Sequence, residues 1–117
     1  MSLNKVQLIG YVGADPDVRD YSLGRITARF RLATNKWRRK DEDQTEVIPV
    51  WHSIVCWDTL AEYVQKNVKK GDKIYIEGEL SYRTYKGPNN TEQAYTNIVA
   101  SEIIMLKKKH ETTEEAQ

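Results

Sequence analysis

The sequence is short of the residues that staple, chelate or catalyse. Of its 117 residues one is cysteine, Cys56, and two are histidine, His52 and His110. A lone thiol excludes an internal disulfide framework, and with two imidazoles it excludes the Cys/His sets of structural zinc. It also fits a reducing compartment better than secretion. No apolar run approaches the roughly 18 residues of a membrane-crossing helix. The start, Met1-Ser2-Leu3-Asn4-Lys5, lacks an apolar signal core, so no secretory leader is expected. Asn89-Asn90-Thr91 matches the glycosylation tripeptide and, without a leader, reads as a chance match. There is no glycine-rich phosphate loop, no H-E-x-x-H and no G-x-S-x-G. His52 and Cys56 stand four residues apart on one strand, about 13 Å at roughly 3.3 Å per residue, too far for a nucleophile and its base. No catalytic residue, metal or cofactor is therefore expected. Net charge is nearly absent too: 18 Lys and Arg against 17 Asp and Glu leave +1. That balance speaks at first against nucleic acid, whose partners ordinarily carry a basic excess.

What is present is a modest core and many rings. Hydrophobic residues make up 39%, with three Trp and seven Tyr, which excludes a wholly disordered chain. The length suits one domain, large enough to fold around its own core. Residues 4–13 read as a strand, with Gly10 and Gly13 marking a bend or bulge. Residues 14–24, with Asp15-Pro16-Asp17 and Ser22-Leu23-Gly24, read as a loop. From Arg25 to Thr34 the pattern alternates, with Ile26, Ala28, Phe30 and Leu32 on one face and Thr27, Arg29 and Arg31 on the other. Residues 38–46 are wholly polar and read as a long, mobile hairpin tip. Val47 to Trp57 forms a third strand with Pro49 near its start. Trp51, Ser53, Val55 and Trp57 share one of its faces, and His52, Ile54 and Cys56 the other.

One helix is expected. Asp58 or Thr59 caps it, Thr59 and Glu62 have the spacing of a capping box, and Leu60, Ala61, Val64 and Val68 form its apolar stripe. Lys69-Lys70 suit its C-terminal dipole, and Gly71 ends it. Strands follow from Lys73 to Tyr85 and from Ala94 to Leu106, joined by a turn over residues 86–90. Five strands with a helix between the third and fourth give an all-β chain with one helix, a five-stranded OB-fold Greek-key barrel. Residues 1–106 form this domain, and 107–117 a short, charged, frayed tail.

The rings point to a function. Trp37 sits in Lys36-Trp37-Arg38-Arg39-Lys40 and Tyr85 in Arg83-Thr84-Tyr85-Lys86; Trp51 and Trp57 flank Ser53 on a face too polar for a core. Core material is already supplied by Ile26, Phe30, Leu32, Ile74, Ile76 and Leu80. Exposed rings stack on unpaired bases at about 1–3 kcal/mol each, while cations follow the phosphates.

Several segments, in order, resemble the bacterial single-stranded-DNA-binding protein family. They are Asn4-Lys5-Val6 with Leu8-Ile9-Gly10, Asp15-Pro16-Asp17-Val18-Arg19, and Leu32-Ala33-Thr34 followed by Trp37-Arg38. Then come Trp51-His52 with Ile54-Val55, Leu60-Ala61-Glu62, Lys69-Lys70-Gly71-Asp72, and Ile74 to Leu80. The resemblance implies a non-catalytic, sequence-independent binder that protects single-stranded DNA in replication, recombination and repair. It implies stacking by Trp37, Trp51, Trp57 and Tyr85, with Trp57 standing where Phe is usual and Tyr85 where Trp is common. Phosphate contacts are expected from Lys5, Arg19, Arg38, Lys40, Lys70, Arg83 and Lys86. Ser53 and Thr59 stand where the family often has Arg and Lys. His52 matches a histidine at the family's subunit interface, and a cytoplasmic, nucleoid-associated homotetramer without a membrane partner is implied.

The C-terminus departs from the family. Its acidic tip ends in Pro-Phe and recruits replication and repair proteins, whereas this chain ends Glu111-Thr112-Thr113-Glu114-Glu115-Ala116-Gln117. Such an ending fits a shortened or a tail-less form. A tail-less OB relative, the primosomal restart protein, is one alternative; a protein-interaction or an RNA-binding OB domain are others. The last seven residues hold three Glu and no Lys or Arg, so the rest of the chain carries +4. Charge placement, with Arg29, Arg31, Arg38, Arg39, Lys40, Arg83 and Lys86 beside the rings, permits a DNA surface that the total disguises.

Overall fold

The structure, a computed structural model, describes residues 1–20 and 22–109. Its strands are β1 (Val6–Val12), β2 (Asp17–Asp20), β3 (Ile26–Asp41), β4 (Gln44–Trp57), β5 (Lys73–Lys86) and β6 (Glu92–Lys107), with helix α1 (Asp58–Asn67) between β4 and β5. Five of them close a ring, β1-β5-β6-β4-β3 and back to β1, while β2 adds to the edge of β3. All pairings are antiparallel except β4–β6, where Ile54 faces Ile98 and Val55 faces Val99. Leaving β2 aside, the helix follows the third ring strand, which is the OB-fold order read from the sequence.

One closed core fills the ring. Ala28, Phe30 and Leu32 of β3, Ile54 and Cys56 of β4, Ile74 and Ile76 of β5 and Ile98 and Ala100 of β6 are buried together, as the alternation on β3 foretold for its own share. Helix α1 adds Ala61 and Val64, and Val68 just past its end joins them, all fully buried. Trp57 is its N-cap residue and offers no side-chain cap bond, so the expected Thr59–Glu62 box is not what starts the helix. Burying each Val contributes about 1.5–3 kcal/mol, more than the ~1 kcal/mol of a cap. The apolar stripe, then, holds the helix. It also stops sooner than Gly71, because Val68 is already extended. Gly71 instead takes a left-handed turn at φ 90° and donates its N–H to the Val12 carbonyl.

β1 must serve two neighbours. It pairs with β5 from Val6 to Tyr11 and with β3 at Tyr11 and Val12. A Cβ at Gly10 would stand 2.3 Å from the Ala33 carbonyl oxygen. Only glycine allows the two backbones to meet there.

Three readings change. Residues 14–24 are not all loop, since Asp17–Asp20 pair with Arg29–Ile26. The polar stretch 38–46 is no loop either: β3 runs to Asp41 and β4 starts at Gln44, and Asp41 Oδ1 accepts the Asp43 N–H in the turn between. Polar composition hid a strand pair because both of its faces are exposed there, leaving no alternation to read. Leu80 lies outside the core, 37% exposed, on a stretch of β5 that projects beyond the irregularity at Glu77/Gly78. Of the tail, residues 110–117 and the fraying expected of them lie outside the described residues.

Candidate nucleic-acid interface

Register builds the site. In β3–β4, Thr27 faces Trp57, Arg31 faces Ser53, Ala33 faces Trp51 and Trp37 faces Val47. Directly opposed residues of an antiparallel pair project to the same side, so Trp37, Trp51, Trp57, Arg29 and Arg31 share one surface. The parallel β4–β6 pairing carries that surface onto the next hairpin, where Ser53 Oγ donates to Asn97 Oδ1 at 2.8 Å. Ser81, Arg83 and Tyr85 of β5 face Asn97, Tyr95 and Gln93 of β6. The four rings expected to stack thus lie on one continuous sheet face, although they come from three strands.

The rings are held differently. Trp37 is 70% exposed and stands far out on the hairpin. Trp51 is 44% exposed, and the Arg31 guanidinium lies 4.9 Å from its ring centroid. On another side, a Cβ at Gly13 would sit 2.4 Å from the Trp51 ring, so Gly13 gives the indole its room. Trp57 is half-buried under the Arg25 guanidinium, 4.5 Å from its centroid. Tyr85 donates its hydroxyl to Gln93 Oε1 at 2.8 Å and meets Tyr95 edge-on, centroids 5.7 Å apart. Not all of the face is open: Thr27 and Val55 are buried on it.

The cations expected at the phosphates divide into two groups. Lys5 is paired with Glu77, Arg19 with Asp17 and Arg38 with Glu46. Arg38 alternates away from Trp37, and the pair it makes with Glu46 runs across the strands at 3.0 Å from Nε. Lys40, Lys70, Arg83 and Lys86 are exposed and make no ion pair among the described residues. Arg83 shares the face of Tyr85, while Lys86 alternates to the other side opposite Glu92.

Residues outside the expected set also belong to the surface. Arg25, Arg31, Tyr95 and Gly13 touch its rings, yet only the alternation of Arg29 and Arg31 gave any sign of this in the sequence. Arg25 forks onto Asp58, Nη2 to Oδ2 at 2.8 Å. That bond raises the arginine pKa and lowers the Asp58 carboxyl, held at a backbone φ of 53°. Asp58 therefore fastens the cation above Trp57 and does not cap the helix.

His52 and Cys56 lie on the inward alternation. His52 is half-buried, shares a 3.0 Å hydrogen bond with Thr34 Oγ1 and titrates low because burial disfavours its cation. Burial pushes the Cys56 thiol up to about 12. Among the described residues, no group of three or more His, Cys, Asp or Glu is placed to hold a metal.

A closed OB ring with indoles and guanidinium groups ranked along one face is the architecture of single-strand nucleic-acid binders. The family model described as the Single-strand binding protein family matches residues 3–106, and the chain belongs to that family. A relative named single-stranded DNA-binding protein 1, from Xylella fastidiosa, is 41% identical over 94% of this chain and 82% of its own. A single-stranded DNA-binding protein of Neisseria meningitidis is 38% identical over 97% of this chain, which spans only 65% of that relative. Against the Xanthomonas campestris relative the share is 60%. Among solved structures, a Plasmodium falciparum SSB complex with ssDNA superposes with a TM-score of 0.81 at 33% identity, over 92% of this chain and 97% of that one.

Proposed function

We propose that this chain binds single-stranded DNA without sequence preference and shields it during replication, recombination and repair. The observation that carries the reading is the placement of Trp37, Trp51 and Trp57 on one β3–β4 face with Tyr85 on the adjoining face of β5. Each ring offers a π-surface to any base, which gives affinity without readout, while Lys40, Lys70 and Arg83 meet the phosphates; Lys86 faces the other side of the sheet. Lys5, Arg19 and Arg38 contribute only by exchanging Glu77, Asp17 and Glu46 for phosphate. The work is done by mass action: a covered strand is withheld from hairpins and nucleases, with no bond made or broken. The inward, hydrogen-bonded His52 and the buried, protonated Cys56 support a non-catalytic reading.

The functional unit in this reading is a cytoplasmic, nucleoid-associated homotetramer. Ile9, Tyr75 and Ile104 stand in one row across β1, β5 and β6, and Ile9, Tyr11, Ile104 and Leu106 are exposed. Copies of the chain are the occupants of that apolar face, and His52 joins a subunit contact. No helix among the described residues is long and apolar enough to cross a membrane.

The test is a titration with oligo-dT followed by tryptophan fluorescence. Strong quenching is expected at low salt, with log affinity falling against log salt by about 0.7 per phosphate neutralised. Duplex and RNA competitors of equal length should displace dT poorly. Absence of quenching at low salt overturns the reading.

A further inference from the structure

We propose that Arg31 is a phosphate-contacting residue of this surface, held in readiness on the Trp51 ring until a strand arrives. The inference rests on the single-strand reading above. Arg31 is exposed on β3 and lies directly across from Ser53 of β4, so the middle of the face has its cation on β3 and a small hydroxyl on β4. That hydroxyl is already engaged with Asn97. The guanidinium lies 4.9 Å from the Trp51 centroid and makes no ion pair among the described residues. Arg19, Arg25 and Arg38 are all committed to carboxylates. Arg31 is thus a planar charge beside the ring array, restrained among the described residues by a weak cation–π contact at an exposed site.

A base stacking on Trp51 competes for that ring. Guanidinium and base cannot occupy the same side, so stacking releases Arg31 at the moment a phosphate comes within reach of it. A bidentate guanidinium–phosphate contact is charge-assisted and stronger than the contact given up. Before binding, the resting position covers part of an exposed indole. Afterwards it supplies a counter-charge where β4 has none.

The experiment compares wild type, Arg31→Ala and Arg31→Lys by dT titration across a salt series. Wild type must quench and show the salt slope; if it does not, the single-strand reading falls and the inference with it. Given a binding wild type, Arg31→Ala should weaken affinity several-fold at low salt and make the log–log slope shallower by about 0.7, the value of one phosphate. Arg31→Lys should keep the slope. Circular dichroism of the free variants establishes that both are folded. An unchanged slope in folded Arg31→Ala, even with altered Trp51 emission, overturns the inference alone. Arg31 would then be a prop for the ring and nothing more.

Discussion

A tryptophan on a strand serves the core or a partner according to what surrounds its ring, and here the surroundings separate three cases. Trp37 stands nearly free, Trp51 lies between Gly13 and Arg31, and Trp57 is half-buried beneath an arginine tied to Asp58. Replacing Trp37 or Trp51 with Ala should weaken dT binding by about 1–3 kcal/mol each and leave the thermal midpoint nearly unchanged. Trp57→Ala should lower both affinity and stability, which a melt run beside the titration will show. Gly13→Ala should disturb the Trp51 ring, because the new methyl would stand where the indole is. Overpacking of this kind costs about 1–3 kcal/mol, and a shifted tryptophan emission maximum checks it. Cys56, fully buried and with its thiol pushed up to about 12, should not react with a disulfide reagent at neutral pH until the protein is unfolded.

The elements show where alternation is informative and where it fails. β3, β4 and β5 are legible over their ring-forming portions because one face is buried, so Ala28, Phe30, Leu32, Ile74 and Ile76 announce themselves. Past Thr34 on β3 and Leu80 on β5 the hairpins leave the core. Both sides are then exposed, and charge pairs such as Arg38–Glu46 replace apolar ones. The expected helix cap failed for a related reason: Asp58 has a long-range partner, Arg25, that no local motif reveals.

Another long-range device joins the two ends of β5–β6. Asp72, 1% exposed, accepts the N–H groups of Lys69 and Lys109 and pairs with Lys108 at 3.2 Å; Lys108 also donates to the Asn67 carbonyl. Burial by itself would raise the Asp72 carboxyl, but these donors outweigh it and hold the group below its usual range. A depressed folded pKa means a stabilising contribution that is complete above the unfolded value of about 4 and is lost as pH falls through the folded value. Asp72→Ala leaves buried donors unmet, at about 1–3 kcal/mol. Melts over a pH series should therefore show the variant less stable at neutral pH and converging with wild type in acid.

At the scale of the whole molecule, the ring places aromatic and basic groups on one side and an apolar strip on another. Light scattering should give the mass of four 13.6 kDa chains. Ile104→Glu should reduce that mass by placing a charge in the strip, while the isolated chain keeps its fold. A monomeric wild type would remove the tetramer from the proposed function and leave the stacking surface standing.

The sequence by itself determined the order of the five ring strands, the single helix, much of the closed core and the rings set among cations, but not β2 or the exposure of Leu80. These follow from periodicity and residue type, which act locally. Tertiary structure alone decided which cations are available. Lys5, Arg19 and Arg38 are tied to carboxylates, and Arg38 alternates to the side of the hairpin away from Trp37. Arg31 is brought onto Trp51 by a register that pairs residues about twenty positions apart in the chain. Strand register and pairs such as Lys5–Glu77 and Arg25–Asp58 are relations between distant segments, set by how the ring closes, and no local pattern of residues encodes them.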